Sequence, residues 1–98
     1  MNPFIYMFIR KDLSSTQQII QAAHAVDSLK REGTDTNYMC LFGVDSESEL
    51  IDVAKYLFDC GIQHEMFFEP DIQSHTAIAT MPLRGKVREK LKHFNLLK

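Results

Sequence analysis

Five side chains of this 98-residue sequence are of a type and spacing that could do chemistry: Gln17, Gln21 and His24, and the two carboxylates of the proline corner Glu69-Pro70-Asp71. Positions i, i+4 and i+7 share one face of a helix, so the two amides and the imidazole form a polar stripe. An imidazole can take a proton from water, and amides can hold a carbonyl or its oxyanion. The Glu69–Asp71 corner could orient a water, hold a cation or accept from ribose hydroxyls. The competing reading is a turn in which Asp71 caps its own backbone. His24 has small neighbours, Ala23 and Ala25, which favours access to its ring; the alternative is a structural histidine bonded to a carbonyl. A charged corner, Arg10-Lys11-Asp12, ends the first apolar run and precedes the helix.

These groups have to be positioned by alternating strands and helices. Phe4–Arg10 reads as a buried strand, short, aromatic and β-branched. Ser14 with Gln17, or Ser15 with Gln18, has capping-box spacing. The spacing predicts a helix from there to about Glu32, stopped by Gly33, with Ile19, Ala22, Val26 and Leu29 as its apolar stripe. A turn over Thr34–Asn37 and a buried strand over Tyr38–Val44 follow. Ser46 and Glu49 cap a second helix, which carries Leu50, Val53, Ala54 and Leu57 inward and stops at Gly61. Strands over Ile62–Glu69 and His75–Met81 flank the Pro70 loop, and a last helix after Pro82 turns Val87, Leu91 and Phe94 inward. The order β-α-β-α-β-β-α predicts a three-layer α/β/α domain spanning residues 1–98. Its small four-stranded mixed sheet has the first three strands parallel. Loops at the carboxyl ends of such strands gather at one edge, which would collect Arg10, Lys11, Asp12, Asp45, Glu69 and Asp71.

Composition narrows the classes. The chain is 45% hydrophobic and 24% charged, ordinary for a globular protein. No apolar run approaches the roughly 20 residues of a membrane helix, and the first residues do not resemble a secretory signal, so a cytoplasmic protein away from membranes is expected. Cys40 and Cys60 lack metal-ligand spacing and read as reduced core thiols; no metal or cofactor is expected. There is no Gly-rich phosphate loop and no Gly-x-Ser-x-Gly elbow. Charge is uneven: residues 84–98 carry six basic and one acidic side chain, a balance of +5, whereas residues 1–83 carry five basic and twelve acidic, a balance of −7. Lys86, Arg88 and Lys90 could therefore meet a polyanion, or simply solvate a helix face.

Two stretches resemble a known family. Phe8-Ile9-Arg10-Lys11-Asp12-Leu13, then Gln21-Ala22-Ala23-His24-Ala25, is similar to the opening of the class II (archaeal and eukaryotic-type) peptidyl-tRNA hydrolases. In those enzymes a strand ends in Val-Arg-x-Asp-Leu and the helix carries Ala-Ala-Gln-x-x-His-Ala. Glu69-Pro70-Asp71, followed by Thr76-Ala77-Ile78-Ala79-Thr80-Met81-Pro82, looks like the short bacterial and phage branch of that superfamily. Gln17 stands where the family enzymes carry a lysine.

The resemblance implies a hydrolase that cleaves the ester between a peptide, or an aminoacyl group, and tRNA. Gln21, Arg10 and backbone amides would surround the scissile carbonyl, and His24 or Asp71 would activate water. Glu69 or Asp71 would stand for the family aspartate, with Asp12 at the same edge. Arg10, Lys11, Gln17 and Thr76 would bind substrate, and Lys86, Arg88 and Lys90 would track the phosphates of the tRNA acceptor end. A homodimer is a further expected assembly. Two alternatives remain: an inactive RNA- or protein-binding module on the same fold, and an enzyme acting on another small substrate.

Overall fold

A computed structural model describes residues 3–29 and 38–97. The elements are β1 (Ile5–Arg10), α1 (Ser15–Asp27), β2 (Met39–Val44), α2 (Glu47–Asp59), β3 (His64–Glu69), β4 (Ser74–Thr80) and a 3-10 helix over Gly85–Leu91. The four strands form one mixed sheet in the order β2-β1-β4-β3. β1 pairs parallel with β2, and β4 runs antiparallel to both β1 and β3. Strands β1, β2 and β3 therefore point the same way, with the reversed β4 between β1 and β3.

β1 is central and covered on both faces, which is why its sequence is an unbroken apolar run up to Arg10. Its alternate residues feed two separate cores. Ile5, Met7 and Ile9 pack with Ala25, Leu29, Ala77 and Ala79 beneath α1. Tyr6 and Phe8 pack with Phe42, Leu50, Val53, Leu57, Ile62, Ile78 and Leu91 beneath α2 and the 3-10 helix. The result is the three-layer α/β/α arrangement. Fully burying each of Leu50, Val53 and Leu57 contributes about 1.5–3 kcal/mol, which holds α2 to the sheet.

The helix ends follow their local chemistry. Ser14 and Ser46 accept from the amides of Gln17 and Glu49 and start the two helices. α2 closes in a Schellman motif: Ile62 N–H donates to Leu57 O and Gly61 N–H to Phe58 O, with Gly61 at φ 73°. That cap uses Ile62, so β3 begins two residues later than expected. α1 stops at Asp27 rather than near Glu32, because Ser28 Oγ donates to Ala25 O at 2.7 Å and Leu29 N–H tightens onto Val26 O. The expected stop at Gly33 and the turn over 34–37 lie outside the described residues.

Two further expectations need correction. The apolar stripe of α1 does not face the sheet as a unit: Ile19 is 72% exposed, and the buried positions are Gln21 and Ala25. Small Ala25 lets the helix approach β1, and Gln21 is admitted because every polar atom of its amide finds a partner. The last helix is 3-10 rather than α. Gly85, at φ 73°, leads into a segment too short to propagate an α-helix, and only Leu91 of its inner face is fully buried. Beyond it, residues 95–97 lie antiparallel to β2: Gly43 N–H donates to Asn95 O and Leu97 N–H to Leu41 O.

Candidate active site

The polar stripe of α1 meets the carboxyl end of β3 at one carboxylate, Glu69. Gln21 Nε2 donates to Glu69 Oε2 at 3.2 Å, and His24 Nδ1 lies 3.9 Å from the same oxygen. The other oxygen, Oε1, accepts the Asp71 amide at 3.3 Å. The Glu69 side chain is only 13% exposed, while that of His24 is 45% exposed. One edge of the imidazole thus faces a held carboxylate and its ring lies against Phe67, centroids 4.7 Å apart. At 3.9 Å the imidazole and the carboxylate are close neighbours without a hydrogen bond between them.

Gln21 is the keystone of this cluster. It is 1% exposed, and both ends of its amide are engaged: Nε2 also donates to Gln17 Oε1 at 3.1 Å, and Oε1 accepts from Thr76 Oγ1 at 2.8 Å. The Thr76 contact depends on a β-bulge. Phe67 pairs with Ala77 but Phe68 pairs with His75, so Thr76 is the extra residue of β4. Strict alternation would turn Thr76 away from Ala77 and towards α2; the bulge turns it towards α1 instead. Thr76 is fully buried, so it fixes which way the Gln21 amide points and is out of reach of a substrate. Gln21 likewise has no free donor for an oxyanion and serves to hold Glu69.

A second cluster pins the same hairpin from the other face of the sheet. Arg10 Nε and a terminal nitrogen hold both Asp12 oxygens, at 2.9 and 2.7 Å, while its remaining nitrogen reaches Ser74 Oγ and His75 O. The bidentate guanidinium holds the Asp12 carboxyl below its usual range, so Asp12 stays an ionised partner and a weak base. Glu47, in the first turn of α2, accepts the His75 amide at 2.7 Å and lies 3.4 Å from His75 Nδ1. The amide and the Ser74 hydroxyl hold the Glu47 carboxyl below its usual range as well. Arg10 is therefore a clamp on residues 74–75 rather than an open substrate contact.

The other sequence-derived candidates lie apart. Asp71 offers its amide to Glu69, but its exposed carboxylate makes no hydrogen bond or ion pair among the described residues. Lys11 pairs with Asp45 at 3.2 Å on the β2 side. Arg88 sits under the opposite face of the sheet, near the start of β1, with Nε on Tyr6 Oη at 2.7 Å and its guanidinium 3.9 Å from the Phe4 ring centroid. Lys86 and Lys90 flank it and are exposed. Tyr6 and Arg10 are four positions apart on β1, about 13 Å at the usual strand rise. The basic segment and the Glu69 cluster thus occupy opposite faces and opposite ends of the sheet. Sequence reasoning also missed Phe67, His75 and Glu47. The one signal for Phe67 was its place two residues before Glu69.

Fold and site together define a small three-layer α/β domain with a carboxylate–imidazole pair at the carboxyl end of its strands. No protein-family model matches the chain, and no curated protein matches it. Among solved structures, a protein of unknown function from Agrobacterium tumefaciens strain C58 is similar in fold. The TM-score is 0.68 over 100% of this chain and 99% of that one, at 14% identity. Among the described residues, no helix is long and apolar enough to cross a membrane, and no group of three or more His, Cys, Asp or Glu side chains is placed to hold a metal ion.

Proposed function

We propose that this protein is a water-activating ester hydrolase and that its substrate is the ester joining a peptide or aminoacyl group to tRNA. The observation that carries the reading is Glu69, held by Gln21 and the Asp71 amide with one oxygen turned to His24. In this reading Glu69 orients His24 Nδ1–H, and Nε2 takes a proton from a water that attacks the ester carbonyl. The acyl C–O bond then breaks, Nε2 returns that proton to the departing ribose oxygen of the tRNA, and the peptide leaves as its carboxylic acid, which ionises in water. The 3.9 Å separation closes to a hydrogen bond as positive charge develops on the ring; such bonds commonly tighten only with substrate in place. The substrate class rests on the resemblance of residues 8–13 and 21–25 to the class II peptidyl-tRNA hydrolases.

The test is single-turnover hydrolysis of a purified peptidyl-tRNA. Replacing His24 with Ala or Glu69 with Gln lowers the rate by about 10²–10⁴, the usual contribution of a positioned base. One observation favours a second reading, an inactive RNA- or protein-binding module. Gln17 replaces the family lysine, and among the described residues no Lys or Arg touches the Glu69 cluster. A folded parent protein without turnover above background overturns the hydrolase reading and leaves the binding module.

A further inference from the structure

On the far face of the sheet, Tyr6, Gly85, Lys86, Arg88, Glu89 and Lys92 line a pocket of about 440 Å³. Three of the six are cations and one is acidic. Arg88 is preorganised there, since its Nε is bound to Tyr6 Oη and its face lies on Phe4, so the side chain is already fixed before any ligand arrives. Its two terminal nitrogens make no hydrogen bond or ion pair among the described residues, and Lys86 and Lys92 have no ion pair there. Tyr6, 5% exposed, accepts from Arg88 and keeps its own hydroxyl proton to donate. A fixed guanidinium fork, a phenol donor and two flexible ammonium groups around one concavity match the oxygens of a phosphate group.

We propose that this pocket binds a compact phosphate-bearing anion. It is distinct from the Glu69–His24 cluster and does not depend on the hydrolase reading. Charge argues for a compact ligand over a nucleic-acid duplex. At this face the cations converge on one concavity that Glu89 also lines, and the +5 balance is confined to the short segment 84–98, so they suit one compact group better than the length of a duplex.

The experiment is a titration of the full-length, isotope-labelled protein with inorganic pyrophosphate at low salt, followed by amide chemical shifts, with a 12-base-pair RNA duplex titrated in parallel. Saturable shifts at Tyr6 and Gly85–Lys92 are expected. The Lys86→Gln/Lys92→Gln double variant, which leaves the Arg88 packing intact, weakens binding by at least about tenfold. Arg88→Lys, which keeps the charge but loses the fork, weakens it further than loss of either lysine alone. No saturable shift with pyrophosphate overturns the proposal, and so do shifts of equal affinity in the double variant. Binding of the duplex without binding of pyrophosphate also overturns it and makes the segment a nucleic-acid surface.

Discussion

Replacing Thr76 with Val tests whether the bulge, Gln21 and Glu69 act as one unit. Valine keeps the shape of threonine but removes the hydroxyl that donates to Gln21 Oε1 at 2.8 Å. Both residues are essentially inaccessible to water, at 0% and 1% exposure, so the amide oxygen is left with no partner. Stranding a buried acceptor costs about 1–3 kcal/mol, and for a chain of this length that lowers the melting temperature by about 5–20 °C. The assay is urea and thermal denaturation of Thr76→Val, Gln21→Met and the double variant. The double variant removes both partners, so its destabilisation should fall short of the sum of the singles by at least about 0.5 kcal/mol. Strict additivity would mean that the hydrogen bond carries no stability, and the account of Thr76 as the residue that orients Gln21 would fail. The same variants report on the site: with the amide free to turn over, Glu69 loses a defined donor, and the mobility of the His24 ring rises in proton relaxation measurements.

Other outcomes follow from the remaining contacts. Because Arg10 lowers the Asp12 carboxyl, the stability of that pair is fully present above the ordinary carboxylate value of about 3.9 and is lost as pH falls through the lower folded-state value. Asp12→Asn should therefore flatten the acid limb of the stability–pH curve below about pH 4, and an unchanged limb would refute the assignment. Arg88→Ala, which loses the Tyr6 bond and the stack on Phe4, should cost about 1–3 kcal/mol in urea unfolding. At Gly43 an added Cβ would lie 2.7 Å from Lys11 Cδ and 2.9 Å from Leu97 Cδ1. Lys11 Cγ also lies at 2.9 Å and the Lys11 head is tied to Asp45, so the lysine stem and the Leu97 tip must both shift. Gly43→Ala should therefore cost about 1–3 kcal/mol while speeding hydrogen exchange at the Leu97 amide, and slower exchange there would contradict the packing described.

The parts legible in the sequence were those set by local rules. Ser14 and Ser46 announce helix starts, Gly61 announces a stop, and the apolar run of β1 announces a strand covered on both sides. What the sequence hid depends on contacts between distant residues. Gln21 reads by periodicity as one of a polar stripe open to a substrate carbonyl, and only Thr76, Gln17 and Glu69 together make its burial tolerable. The bulge that delivers Thr76 has no glycine to mark it, because it is set by the pairing of β4 with β3. Ile19 has the spacing of a core residue but loses its place to Ala25, whose size governs how closely α1 lies on β1. Spacing alone puts Gln17, Gln21 and His24 on one face of α1; the carboxylate that Gln21 and His24 share, Glu69, was one of two the sequence could not separate.

The short pairing of residues 95–97 with β2 closes one border of the sheet, while among the described residues no segment pairs with the outer edge of β3. A protein cut before Asn95 would lose the Gly43 and Leu97 backbone bonds and present a second bare border along Leu41–Gly43. With both borders bare, copies could stack side by side in register, each sheet extending the next, and trimming a few residues would convert a self-limited fold into a unit capable of linear growth. Residues 95–97 would thus guard the β2 border as well as form part of the packed domain.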